Sequence, residues 1–333
     1  MGIILGQSRK FWGIGILTIG WMLVVSGTGF SGGTCAIESD QKSFTRPSAI
    51  PFRQMSLSQM ALVEDFSRLS EAVYHDVFES FAGAAGIRWE RVAHTDFEKV
   101  RWIQKLDNSG LKWDLVEGRS ANGERVRVVV FAGTDINPSG RDLLTDAYQL
   151  WGLAAQYWEA LNIARQVVDA TAREPGVTLY FTGHSLGGGL AQFVAAISNM
   201  QAIVFNSAGL GLMARQLEHA LPKAYREAAN TNITNVRMTG DLVHKYGLQL
   251  GQPIELTPPP GVGRDPLTLH GQGVMVKMIK QEREQAVTKS MYGKPLSSFV
   301  DKPVGGVSID PDVSFEPANL NEKREQILRG LKK

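Results

Sequence analysis

Cysteine is all but missing from this 333-residue chain: Cys35 is the single one, and it lies ahead of the stretch that reads as folded. Internal disulfides, a cysteine nucleophile and cysteine-based metal sites are therefore excluded. Net charge is nearly missing as well. The formal value is +2, and Arg9 and Lys10 are the only charged residues before Glu38, so without that leader 33 basic residues face 33 acidic ones. A neutral domain carries no electrostatic footprint for nucleic acid. No internal repeat with a period of about 20 to 50 residues runs through the sequence. Hydrophobic residues at 43% and charged residues at 20% are ordinary for a globular domain and argue against disorder, collagen or a multi-span membrane protein. The length suits one large α/β domain with decoration.

What is present begins with the N-terminus. Arg9-Lys10 precede an uncharged apolar run from Phe11 to Val25, followed by small residues from Ser26 to Thr34. A basic start, an apolar stretch and a small-residue zone make a secretory leader. The uncharged stretch continues to Ile37, which also allows an uncleaved anchor, since about 20 residues span a bilayer. Cys35 stands where a bacterial lipoprotein would be acylated, although Gly32-Gly33-Thr34 departs from the usual apolar-then-small approach. Residues 1–37 are therefore a signal peptide or membrane anchor, and the protein is expected to be exported: periplasmic, secreted or held at the membrane through its N-terminus. Residues 38–55, polar with Pro47 and Pro51, read as a linker. The folded domain is expected over 56–290. Residues 291–333, rich in Pro and Gly with a charged amphipathic end, read as a C-terminal extension.

Hydrophobic spacing sets the fold class. Leu57, Met60, Ala61, Phe66, Leu69, Val73, Val77 and Phe81 recur at roughly helical intervals behind Ser56 as a cap, which predicts an amphipathic helix laid on a sheet. Short β-rich runs follow at 101–106, 112–116 and 125–131, separated by Asn108-Ser109-Gly110 and Ala121-Asn122-Gly123, turn signals that predict antiparallel hairpins. Strands at 125–131, 177–182, 202–205 and 233–238 then alternate with helical patterns at 155–172, 188–198 and 211–230. Strands alternating with helices of that length predict an α/β fold whose mostly parallel sheet is covered on both faces.

The chemistry centres on Gly183-His184-Ser185-Leu186-Gly187. The β-rich run 178–182 leads straight into it and a small-residue helix leads straight out, so Ser185 is placed on a strand-to-helix turn. There it stands proud of the sheet in a backbone state that only small neighbours two residues away permit. Gly183 and Gly187 are those neighbours. The helix that follows points its first amides at developing negative charge, which makes the Leu186 N–H an oxyanion donor. No Lys-Ser or Lys-Thr follows the glycines, against a phosphate-binding loop. His184, beside the nucleophile, reads as a packed or hydrogen-bonded core group.

A serine hydroxyl attacks only when a histidine takes its proton, and that histidine needs an acid to set its tautomer. On an elbow of this kind, that of the α/β hydrolases, the chain order is Ser, acid, His. His219, His244 and His270 follow Ser185. His219 sits in a helical run where a surface role is favoured. His270 lies past the last expected strand and ahead of a Val/Met-rich helix, and is preferred as the base; His244, three residues after Asp241, is the alternative. Asp241 closes the turn Thr239-Gly240-Asp241 after a strand and is the preferred acid. Asp265 is held in reserve, with Pro266 favouring a turn role for it. The second oxyanion donor is expected after an earlier strand, where the buried run 128–131 ends in Gly133-Thr134 and Thr134 offers an N–H and a hydroxyl. Beyond it, Leu143, Leu144, Tyr148, Leu150, Trp151, Leu153, Tyr157 and Trp158 form either a lid or acyl-chain wall, or the buried face of a helix.

The central region, about residues 57 to 280, resembles the class 3, fungal-type lipase family of the α/β-hydrolase superfamily. The matching stretches are Val-Val-Phe-Ala-Gly-Thr-Asp (129–135), Arg-Asp-Leu-Leu-Thr-Asp (141–146), Leu-Tyr-Phe-Thr-Gly-His-Ser-Leu-Gly-Gly-Gly-Leu-Ala (179–191), Val-Phe-Asn-Ser-Ala-Gly (204–209) and Val-Arg-Met-Thr-Gly-Asp-Leu-Val (236–243). The resemblance implies Ser185, Asp241 and His270 as a triad, Thr134 with Leu186 as the oxyanion hole, and a lid after the oxyanion loop. It implies hydrolysis of lipid esters, of triacylglycerol or phospholipid type, through an acyl-enzyme and without cofactor or metal, and possible contact with a membrane or lipid surface. The chain departs from the family in having Ala132 where Arg is common and in lacking the disulfides of secreted fungal members. Bacterial phospholipase-like branches match equally well. An exported non-lipolytic esterase, or an envelope protein using the fold to bind lipid, is the alternative reading; a complete Ser, Asp, His set argues against the second.

Overall fold

The structure, a computed structural model, describes residues 47–75, 78–92, 110–133, 150–210, 221, 223–245, 247–259 and 261–292, with the backbone alone for 150–154 and 291–292. Residues 1–37, Thr134, His219, the apolar run 143–149 and the extension beyond 292 lie outside the described residues.

Ser56 opens helix α1 (Leu57–Ala72) through a capping box: its hydroxyl accepts from the Gln59 amide, and the Gln59 side chain accepts from the Ser56 amide. The helix buries Met60, Val63, Phe66 and Leu69 along one face. The apolar spacing that predicts a helix as far as Phe81 outruns it. α1 stops at Ala72, and Phe81 begins the short strand β2 (Phe81–Ala82), its ring under the guanidinium of Arg68 at 3.8 Å. Phe78 and Phe81 still pack on the α1 core, so the period records a shared buried surface reached by two different backbones.

The described residues build one nine-stranded sheet. In chain order its strands are β1 (Ile50–Pro51), β2, β3 (Ile87–Arg91), β4 (Trp113–Ser120), β5 (Arg125–Phe131), β6 (Val177–His184), β7 (Gln201–Phe205), β8 (Ile233–Met238) and β9 (Gln252–Leu256). Across the sheet they lie in the order β1-β9-β8-β7-β6-β5-β4-β3-β2. From β5 to β1 every neighbouring pair is parallel, and β2 to β5 form an antiparallel flank. β4 and β5 meet at the predicted Ala121-Asn122-Gly123 turn, where Gly123 takes a φ of 84°.

Side chains alternate across the sheet as strand geometry requires. Val128 and Val130 of β5 face α1 and α6 (Gln272–Tyr292), whereas Val129 and Phe131 face α2 (Leu150–Thr171) and α3 (Leu186–Ser198). α4 (Lys223–Asn232) joins the second layer through Ala229. Phe66, Phe131, Phe181 and Leu190 are fully buried, and each such side chain contributes about 1.5–3 kcal/mol. Tyr157 of α2 lies in this second core, its ring 4.9 Å from that of Phe193, so it belongs to the buried face of the helix.

Four sheet members escaped the sequence reading: β2, whose Phe81 it placed in a helix, β3, and the proline-containing β1 and β9. Residues 50–55, assigned to the linker, belong to the domain: β1 pairs in parallel with β9, Phe52 is buried in the turn Phe52–Gln54, and Arg53 forms an ion pair with Glu282 of α6. Pro51 marked them as connection, yet proline is tolerated on an edge strand. Pro253 likewise hides β9, which follows β8, so His270 comes one strand later than expected. It closes the short helix α5 (Pro266–His270). Asp265 caps α5 by accepting from the Thr268 amide at 2.9 Å, a structural duty.

Because β6, β7 and β8 run in parallel with Gly183 opposite Val204 and Phe205 opposite Val236, their carboxyl ends share one edge. Ligand chemistry in open α/β sheets collects at that edge. Among the described residues no helix is long and apolar enough to cross a membrane.

Candidate active site

β6 ends at His184 and α3 begins at Leu186, so Ser185 alone makes the turn, with φ 57° and ψ −125°. A non-glycine residue in that region costs about 1–3 kcal/mol. The cost is met by packing that leaves no alternative path: a Cβ on Gly187 would run into the carbonyl of Phe131, and one on Gly183 would sit 2.5 Å from the Gly187 backbone. Backbone bonds fasten the turn on both sides, from the Ser185 amide to the Phe205 carbonyl at 3.1 Å and from the Ala208 amide to the Ser185 carbonyl at 2.8 Å.

The serine hydroxyl lies 2.9 Å from Nε2 of His270, and Nδ1 of His270 lies 3.1 Å from Oδ1 of Asp241. A carboxylate only accepts, so Nδ1 carries the proton and Nε2 is left to accept from the serine. Asp241 and His270 are each about 1% exposed at the side chain. Burial by itself would raise the Asp241 carboxyl, but hydrogen bonds from His244, His270 and the Val243 amide outweigh it and hold the group below the usual carboxylate range. Asp241 therefore stays ionised and can stabilise an imidazolium on His270. Gly240 makes the turn that delivers it, with a φ of 102° open to glycine at no steric cost.

The structure thus brings Ser185, Asp241 and His270 into one hydrogen-bonded line. His244, the alternative base, lies on the other oxygen of the same acid, with Nδ1 3.3 Å from Oδ2 of Asp241. Leu186 opens α3, and its amide is one of the first-turn N–H groups that have no carbonyl partner inside the helix. Among the described residues a cavity of about 270 Å³ touches Leu186 and is bounded by Tyr74, Leu111, Ala132, Gly133 and Gln156.

Two supporting residues carry no role in the sequence reading. Asn206, at the end of β7 with φ 39°, accepts the Met238 amide at 2.8 Å and donates to the carbonyl of Leu269 at 2.9 Å. It ties β8, which delivers Asp241, to α5, which delivers His270. Tyr74 accepts the Gly133 amide at 2.8 Å and reaches Nδ1 of His184 at 3.4 Å, while Nε2 of His184 donates to the His270 carbonyl at 2.6 Å. Burial first, and then the His270 imidazole beside it, pushes the His184 imidazole down to about 3, so it is neutral. A polar residue ending an apolar strand, as Asn206 does, is the sequence signal for such a part. Among the described residues no group of three or more His, Cys, Asp or Glu is arranged to hold a metal ion.

Sheet order and the turn at Ser185 together make this an α/β-hydrolase fold, mostly parallel with helices on both faces. Residues 65–252, more than half of the chain, match a phospholipase-like family, the Tle-like phospholipase domain, and the chain belongs to it. Membership sets it, at that coarse level, among lipolytic or ester-cleaving hydrolases. No curated protein matches the chain. Among solved structures it is similar to a mutant form of MDLA from Penicillium cyclopium, at 16% identity over 62% of this chain and 83% of that one, TM-score 0.38. It is also similar to a deletion mutant of the Rhizomucor miehei lipase in its propeptide complex, at 15% identity over 64% and 82%, TM-score 0.31. Likeness at these scores adds nothing to what the sheet order already establishes.

Proposed function

We propose that this chain is an exported serine hydrolase that cleaves carboxylic esters of lipids, glycerolipid or phospholipid, through an acyl-enzyme on Ser185. The observation that carries the reading is the 2.9 Å approach of the Ser185 hydroxyl to Nε2 of His270, with ionised Asp241 behind it. In the first half-reaction the Ser185 oxygen attacks the ester carbonyl carbon as its proton passes to His270. The resulting oxyanion is held by the Leu186 N–H and by Thr134. As the tetrahedral centre collapses, His270 gives its proton to the departing alcohol, which leaves an acyl group on Ser185. Water then attacks the acyl carbon as His270 takes its proton; when that centre collapses the bond to Ser185 breaks, His270 returns the proton to the serine oxygen, and the free acid departs. None of these steps calls on a cofactor or a metal. The phospholipase-like family supports a lipid substrate. Export is supported by Arg9-Lys10 ahead of the apolar run from Phe11 to Val25.

The test is hydrolysis of p-nitrophenyl esters of increasing acyl length and of phospholipid vesicles, with Ser185→Ala alongside. Turnover of long-chain esters and vesicles that vanishes in the variant supports the reading. Turnover confined to short soluble esters makes the protein a non-lipolytic esterase. No turnover, together with no labelling of Ser185 by an alkyl phosphonate, overturns it.

A further inference from the structure

We propose that His244 is a positioning residue of this site: by donating its Nδ1–H to Oδ2 of Asp241, it holds the carboxylate in the plane that presents Oδ1 to His270. The inference rests on the reading of Ser185, His270 and Asp241 as the reacting group.

The two oxygens of Asp241 are used differently. Oδ1 accepts from the Val243 amide at 3.0 Å and from Nδ1 of His270 at 3.1 Å. Both donors on one oxygen leave the carboxylate able to swing about that oxygen, because the terminal torsion of an aspartate is broad. The contact at 3.3 Å from His244 falls on Oδ2 and removes that freedom. The Asp241 side chain is 1% exposed and that of His244 11%, so burial shields this oxygen from solvent. A buried carboxylate oxygen left without a donor is costly, and the group turns to find one.

Local backbone explains why a histidine at this position can do this. Asp241 leaves β8 through the Gly240 turn, and residues Val243–Lys245 close at once into a short 3-10 turn. That turn folds the Val243 amide onto one oxygen of Asp241 and the His244 ring onto the other, so two residues grip the carboxylate that they follow. His244 has no place on the proton path. Its Nδ1 faces Asp241, and the hydroxyl of Ser185 lies on His270. Its effect on turnover therefore passes through Asp241.

The experiment uses the full-length chain and two readouts. One is kcat and KM on p-nitrophenyl butyrate. The other is the downfield proton resonance of the His270 Nδ1–H, which reports the bond to Asp241 and needs no substrate. His244→Ala is expected to lower kcat roughly tenfold at unchanged KM, the size of one charge-assisted hydrogen bond, and to broaden or shift the resonance. His244→Asn, whose amide places an N–H close to the position of Nδ1, is expected to restore kcat to within about threefold of wild type, the worth of a somewhat longer hydrogen bond. If His244→Ala does not fold, His244→Leu, which keeps bulk without a donor, takes its place. Wild-type kcat with an unchanged resonance in the donor-free variant overturns the proposal, and so does His244→Asn as impaired as His244→Ala. Should wild type cleave no ester, the hydrolase reading fails, and the resonance alone decides: lost without the donor and kept in His244→Asn supports the inference, and unchanged overturns it.

Discussion

The ring of His184 donates through Nε2 to the backbone carbonyl of His270 at 2.6 Å, and the two imidazole rings lie 4.7 Å apart. A neighbour of the nucleophile thereby holds the main chain of the base. The bond requires a proton on Nε2, and burial keeps the ring neutral, with its imidazole pushed down to about 3 from 6.5. The folded state therefore binds a proton on His184 later than the unfolded state does, so acid favours unfolding. Stability from this group is fully present above about 6.5 and is lost as pH falls from there towards about 3. In His184→Gln, whose amide can still donate to the carbonyl, the drop in thermal midpoint between pH 7 and pH 4.5 should be shallower than in wild type. Parallel slopes in the two melting series would exclude His184 as a source of acid sensitivity.

Ser185 combines function with backbone strain. Its φ of 57° is costly for any side chain and free for glycine. Ser185→Gly should therefore lose ester hydrolysis while gaining about 1 kcal/mol of stability, read from the midpoint of urea unfolding. Ser185→Ala should lose the same activity without that gain, because it keeps the Cβ and the strain.

Gly187 has no room for a methyl group, since a Cβ would collide with the Phe131 carbonyl and the Ala132 backbone, neither of which can rotate away. Gly187→Ala is expected to destabilise the domain by about 3 kcal/mol or more, the scale of overpacking in a well-packed core. Unfolding at wild-type urea concentration would contradict the close approach.

Asn206→Asp keeps the shape of the side chain and turns a donor into an acceptor opposite the carbonyls of Leu269 and His270, at 2.9 and 3.4 Å. The bond from the Met238 amide survives the change. The predicted result is a loss of roughly 1–3 kcal/mol in stability and a fall in kcat as His270 shifts. Wild-type kcat in Asn206→Asp would mean that the carbonyl clamp does not position the base.

Much of this could be read from local pattern. The helix at α1 follows from Ser56 and the apolar spacing behind it, and β8 follows from a short apolar run closed by Thr239-Gly240. The elbow at Ser185 follows from glycines two residues to either side. Strands containing proline were not readable, as β1 at the edge and β9 beside it show, because their strand character comes from the neighbours they pair with and not from their own residues.

Chain order and residue type point to Asp241 and His270 behind Ser185 and leave His244 and Asp265 as alternatives, since three histidines and many acids follow the elbow. They could not say which oxygen of Asp241 His270 takes, nor that His244 grips the other, because both histidines follow Asp241 at workable spacings. That choice was made by the stacking of β6, β7 and β8 in parallel register and by Asn206 between them, contacts across 21 to 63 residues of chain that no local pattern encodes. Reactive groups were determined by the sequence, and their distances by how the sheet closed around them.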